Sequence, residues 1–169
     1  MKDAPKPSVS TGLYTPQERA RRDATIWTPV QGVLAAFQFV VFAVSVCLIA
    51  RYMLTGEGET AAVWSVVFKT LVLYAIMVTG SIWEKVVFNK WLFAPAFFWE
   101  DVFSFLVLGL HTAYLWSVCT GSMGTRNQLW LALAAYAAYA FNAGQFLLKL
   151  RAARAQERAT LAMHQGLAT

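Results

Sequence analysis

Cysteine, histidine and charge are all scarce in this chain. Of 169 residues, two are cysteine and two histidine, and charged side chains make up 14%. A soluble domain carries about 25% charged residues, so a water-facing surface is hard to build from this composition. Cys47 and Cys119 each lie near the end of an apolar run, with no CxxC and no neighbouring histidine. That excludes a disulfide scaffold, a zinc site and a c-type haem attachment. Both are expected to act as small buried hydrophobes. No GxGxxG, P-loop or GxSxG interrupts the chain, so the common nucleotide and nucleophile motifs are missing. No apolar run follows the N-terminus closely enough to read as a signal peptide. The net charge of +5 is concentrated at the two ends. It reads as a topology signal rather than a nucleic-acid surface, and no nucleic-acid partner is expected.

What remains is apolar. Hydrophobic residues make up 58% of the chain, and the mean hydropathy is +0.49. A bilayer is crossed by about 20 apolar residues, and four runs are long enough: residues 29–52, 61–83, 95–119 and 128–150. The expected fold is an all-α integral membrane protein, a four-transmembrane-helix bundle over residues 28–150. Residues 1–14 read as a disordered segment. Residues 15–27 read as an interfacial amphipathic helix, opened by the capping box Thr15-Pro16-Gln17-Glu18. A second box, Thr28-Pro29-Val30-Gln31, is expected to open the first span. Residues 151–169 form a basic tail with Arg151, Arg154 and Arg158.

Lysine and arginine set the orientation. Lys2, Lys6, Arg19, Arg21, Arg22, Lys85, Lys90, Lys149, Arg151, Arg154 and Arg158 fall on one side, against Arg51 and Arg126 on the other. Both termini and the middle loop are therefore expected in the cytoplasm. Lys69 stands inside the second span, where snorkelling to the near surface is the plainest expectation and a pairing or substrate role is the alternative. Val66, Lys69, Leu73, Met77, Gly80 and Glu84 share one helical face. Asn142 and Gln145 are placed to hydrogen-bond across helices.

The chemistry concentrates in Ser81–Ser104. This stretch holds Trp83, Trp91 and Trp99, the carboxylates Glu84, Glu100 and Asp101, and Lys85 and Lys90. Carboxylates beside spans are costly and are functional candidates by default. The competing explanation is interfacial pairing with Lys85 and Lys90, with the tryptophans forming an interfacial belt.

Two strings, FKTLVLYAIMVTGSIWEKVVFNKWLFAPAFFWEDVFSFLVLGLHTAYL and YAAYAFNAGQFLLKLRAARAQ, closely resemble the 3-vinyl bacteriochlorophyllide hydratase family. The resemblance covers about residues 15–156. It implies a lyase of bacteriochlorophyll biosynthesis in photosynthetic bacteria. Such an enzyme adds water to the 3-vinyl group of a chlorophyllide-type magnesium tetrapyrrole, giving a 1-hydroxyethyl group. The implied location is the bacterial inner (intracytoplasmic) membrane, in contact with lipid. Whether a homo-oligomer or contacts with pathway enzymes complete the site is left open, as is chlorin against bacteriochlorin.

Vinyl hydration needs an acid for the terminal carbon and a base for water, and no redox cofactor. A carboxylic acid protonates carbon near neutral pH only when its environment favours the neutral form. Glu84, near a helix C-terminus, is the candidate proton donor. Glu100 or Asp101, in a helix first turn where the field favours charge, is the candidate base. Trp83, Trp99 and Phe98 are candidates to wall the macrocycle, Lys85 to meet its propionate, and His111 to ligate its magnesium or to pack within the bundle. Two rivals stand beside this reading. One is a non-enzymatic pigment-binding or assembly protein; the other is a small transporter, which the few polar groups inside the spans disfavour.

Overall fold

The computed structural model describes residues 13–166. Five helices follow in order: α1 Pro16–Ala24, α2 Trp27–Thr55, α3 Glu59–Phe88, α4 Phe98–Thr120 and α5 Thr125–Gly166. Among the described residues there is no strand. Four of the helices are long and apolar enough to cross a membrane, the last over Thr125–Ala155. The shortest of them, α4, has 23 residues and at about 1.5 Å per residue exceeds the roughly 30 Å hydrocarbon core. Most of residues 1–14, expected to be disordered, lie outside the described residues. Tyr14 does not fit that expectation: it is buried and stacks on Phe88 with ring centroids 5.7 Å apart.

Local signals set the helix ends. The first capping box forms as expected: the Glu18 amide donates to Thr15 Oγ1 at 3.3 Å, and the Thr15 amide donates to Glu18 Oε2 at 2.8 Å. The second does not form. Helix α2 starts at Trp27 without a side-chain cap, because tertiary partners claim the would-be cappers. The Thr28 hydroxyl donates to the Arg22 carbonyl at 2.6 Å and accepts from Trp83 Nε1 at 3.0 Å. Gln31 Nε2 donates to Thr79 Oγ1 at 2.7 Å. Gly56, at φ 75°, ends α2 with its amide on the Tyr52 carbonyl, a left-handed position open to glycine at no steric cost.

The bundle is two antiparallel hairpins, α2 along α3 and α4 along α5, with α3 packed on both α4 and α5. At one end the core is Ile49, Ala62, Val66, Tyr114, Leu129, Ala132 and Tyr136. At the other end, Tyr14, Val87 and Phe97 gather with Trp83, Phe88 and Phe146. The α1 strap lies on α3 at this second end, where α2 starts, α3 ends, α4 starts and α5 leaves the bundle.

Outward faces are apolar, with Phe39, Val40, Val44, Trp64, Phe68, Leu71, Leu106 and Trp116 all exposed. That suits lipid as the solvent. Cys47 and Cys119 lie on these outer faces, which corrects the expectation that they are buried. In a bilayer an apolar residue need not face the core to leave water.

Candidate active site

Helix α3 ends at Phe88, and Asn89 follows with φ 60°. Asparagine tolerates this left-handed conformation better than most residues, so the chain turns back at once. The loop then holds Phe93 at φ 57°, and Pro95 opens a short turn before α4 rather than the helix itself. This connection is held by carboxyl groups. Asp101 Oδ2 accepts the Phe93 amide at 2.7 Å, and Glu84 Oε2 accepts the Ala94 amide at 3.2 Å. The two carboxyl groups thus hold adjacent amides of one loop from different helices. Each residue is only 5% exposed. Two carboxyls from different helices thus meet under one loop, between its backbone and the bundle.

Glu100 faces another partner. Both its oxygens accept from Lys149 Nζ at 2.8 Å, and the ammonium also lies 5.1 Å from the Phe97 ring centre. Glu100 and Asp101 are therefore both buried although adjacent in sequence, because α3 and α5 flank α4 on different sides. In the sequence Lys149 counts only among the positive charges that set topology. Lys85 does not pair with Glu84; it donates to the Asn89 carbonyl at 3.3 Å and lies 5.9 Å from the Trp91 ring centre.

The aromatic residues split into two groups. Trp83 packs inward against Phe88 and Phe97. Phe98 and Trp99 point outward beside Phe93, which stacks on Phe105 at 5.5 Å with planes 11° apart. Phe98, Asp101 and Phe105 follow helical spacing along α4, so this exposed aromatic surface flanks the buried carboxyl pair. On the side of the α1 strap, Leu13, Glu18, Phe88, Pro95, Ala96 and Lys149 line a groove of about 410 Å³.

His111 sits well below this end and is fully buried. Its Nδ1 donates to the Val107 carbonyl at 2.8 Å, which leaves Nε2 as the acceptor for Lys69 Nζ at 3.1 Å. With both nitrogens engaged, the imidazole offers no lone pair to a pigment's magnesium, and the ligand role does not fit this arrangement. Lys69 does not snorkel. It is fully buried, with its ammonium 3.8 Å from the Tyr139 ring centre, a cation–π contact that replaces part of the lost hydration. Among the described residues, no group of three or more His, Cys, Asp or Glu side chains gathers to hold a metal ion.

Farther into the bundle from Glu100, Asn142 Nδ2 donates to Ser104 Oγ at 2.8 Å. The side-chain oxygens of Asn142, Gln145 and Gln38 are buried with no hydrogen-bond partner among the described residues.

The family model of 2-vinyl bacteriochlorophyllide hydratase matches residues 14–152. The chain belongs to this family. The match runs from the buried Tyr14 past Lys149, so it takes in the carboxyl pair, the loop it holds and the ion pair on α5. A 2-vinyl bacteriochlorophyllide hydratase of Rhodobacter capsulatus is 58% identical over 170 residues, covering 98% of this chain and 99% of its own length. One of Cereibacter sphaeroides is 64% identical over 142 residues, covering 84% of this chain and 88% of its own length. No solved structure matches. The vinyl group numbered 3 in one tetrapyrrole nomenclature is numbered 2 in the other.

Proposed function

We propose that this chain is a membrane hydratase of bacteriochlorophyll biosynthesis, adding water to the ring vinyl group of a chlorophyllide-type tetrapyrrole to give a 1-hydroxyethyl group. Family membership and two relatives of that name support the reaction. The observation that carries the mechanism is the placing of two buried carboxyl groups, Glu84 and Asp101, on the adjacent amides of Ala94 and Phe93. Two carboxyl groups crowded together away from water resist ionising together, which favours one as an acid beside the other as a carboxylate. Hydration asks for that division of labour.

Glu84 gives its proton to the terminal vinyl carbon, whose π electrons form the new C–H bond. The positive charge left on the inner carbon spreads into the macrocycle. Water attacks that carbon, and Asp101 takes the water's surplus proton. The proton then returns from Asp101 to Glu84, restoring the starting state with one water consumed. Glu100 is the weaker candidate for base, since Lys149 occupies both its oxygens.

Binding divides by location. The outward Phe98, Trp99, Phe93 and Phe105 offer a stacking surface for a flat macrocycle beside Asp101, while Trp83 supports the loop from within. Lys149 lines the groove at the strap and is better placed than Lys85 to meet a propionate. The polar end with the carboxyls faces the cytoplasm, together with both termini, and the membrane is the bacterial inner (intracytoplasmic) membrane.

One observation favours the rival reading, a pigment-binding protein without chemistry: both carboxyls hold loop amides, a structural role. Glu84→Gln separates the two. Glutamine still accepts the Ala94 amide but is no longer an acid. Hydration of 3-vinyl chlorophyllide, followed as a gain of one water by mass, should fall on the order of 10²–10⁴-fold, with insertion and pigment binding intact. Near-normal turnover would sink the acid assignment. Wild-type membranes that bind pigment without changing its mass would favour the rival.

A further inference from the structure

Hydration has two substrates, and the second must be held inside an apolar bundle at the reacting carbon. Helices α4 and α5 cross-link at two levels: Lys149 to Glu100 near the polar end, and Asn142 to Ser104 deeper in. Gln145 lies between these levels on α5, three residues from Asn142 and four from Lys149, and therefore on the same face. Ser104 lies one turn beyond both Glu100 and Asp101 on α4. A polar seam thus runs between the two helices past the carboxyl end of the bundle.

Two oxygens in this seam have no protein donor. Asn142 is 7% exposed, and its amide has one end on Ser104 and the other unpartnered. Turning the amide over exchanges its ends but still leaves one without a partner. Gln145 Oε1 is likewise buried and unpaired. A buried amide oxygen without a donor costs free energy, and ordered water is the usual remedy where polar groups converge. Groups three apart on a helix stand about 5–6 Å from each other at Cβ. One bent water donating two hydrogen bonds of about 2.8 Å each bridges oxygens about 4.5 Å apart, a spacing that two amides rooted at that separation reach by converging.

We propose that the side-chain oxygens of Asn142 and Gln145 hold the water that adds to the vinyl group. Both amide oxygens accept from the water, so its lone pair stays free to attack the inner carbon. The carbon–oxygen bond forms from that pair; as the oxygen becomes positive, one hydrogen leaves its amide oxygen for Asp101, that O–H bond breaks, and the other hydrogen stays as the hydroxyl. Asn142 and Gln145 are thus substrate-water ligands, distinct from the acid and the base. This rests on the hydratase reading and on Asp101 as the base.

The test uses the full chain in membranes with 3-vinyl chlorophyllide in D2O, comparing wild type, Asn142→Leu, Gln145→Leu and Glu84→Gln. Gln145→Leu leaves the Asn142–Ser104 bond intact, so at least one variant keeps the helix cross-links. In both leucine variants hydration should fall at least about tenfold, with KM within about twofold. Unreacted pigment recovered from them should carry deuterium on the terminal vinyl carbon. Protonation there still occurs, and the cation, lacking water, reverts by losing a proton. Glu84→Gln should lose hydration and exchange together. Hydration unchanged in Gln145→Leu would overturn the proposal, as would hydration lost with no deuterium in the recovered pigment. A wild type without hydration would instead overturn the hydratase reading.

Discussion

Lys149 shows what a single side chain does at this site. Its ammonium meets both oxygens of Glu100, whose side chain is 8% exposed, while its own side chain is 30% exposed. Removing it strands a buried carboxylate, and breaking a fully buried pair costs about 3–5 kcal/mol. Because the lysine is partly open to solvent, Lys149→Met is expected to cost less, about 1–3 kcal/mol, read as a lower melting temperature in detergent. Adding Glu100→Gln should recover most of that loss, since the stranded charge is then gone. The sequence marked Glu84, Glu100 and Asp101 as candidates from charge scarcity alone. It could not assign their partners. Pairing residue 100 with residue 149 depends on the register of two helices, which periodicity within one helix does not contain. The same limit left open which of Glu100 and Asp101 shares a loop with Glu84, and the use of Lys69, whose face was legible although its partner was not.

Polar links tie the elements together, and one between fully buried side chains joins Lys69 on α3 to His111 on α4. Lipid-facing surfaces supply no hydrophobic drive between helices, so packing and interhelical hydrogen bonds carry association. A double-mutant cycle of Lys69→Met and His111→Leu, read by thermal unfolding in detergent, should show a coupling of about 0.5–2 kcal/mol. A coupling near zero would mean that Tyr139, rather than His111, is the lysine's effective partner. The four spans were legible because length and hydropathy dictate them. Their ends were less so. Thr28 and Gln31 spell a capping box, yet both side chains are drawn to other helices, and Pro95 serves a turn rather than the start of α4.

At the scale of the whole molecule, two helical hairpins meet, and the connection between them closes over the carboxyl pair. Connecting loops ordinarily absorb extra residues with little harm. Here the amides of Phe93 and Ala94 are anchored to the side chains proposed as base and acid, which on that proposal makes spacing within the connection part of the chemistry. One alanine inserted between Asn89 and Phe93 should abolish hydration in a protein that still inserts, whereas the same insertion at Ser122, in the turn before α5, should leave it near normal. The assay is turnover per inserted chain. The stretch that tolerates length change least should therefore be the one that looks most like a simple linker, and a lineage changing its length would have to rebuild the acid–base pair at the same time.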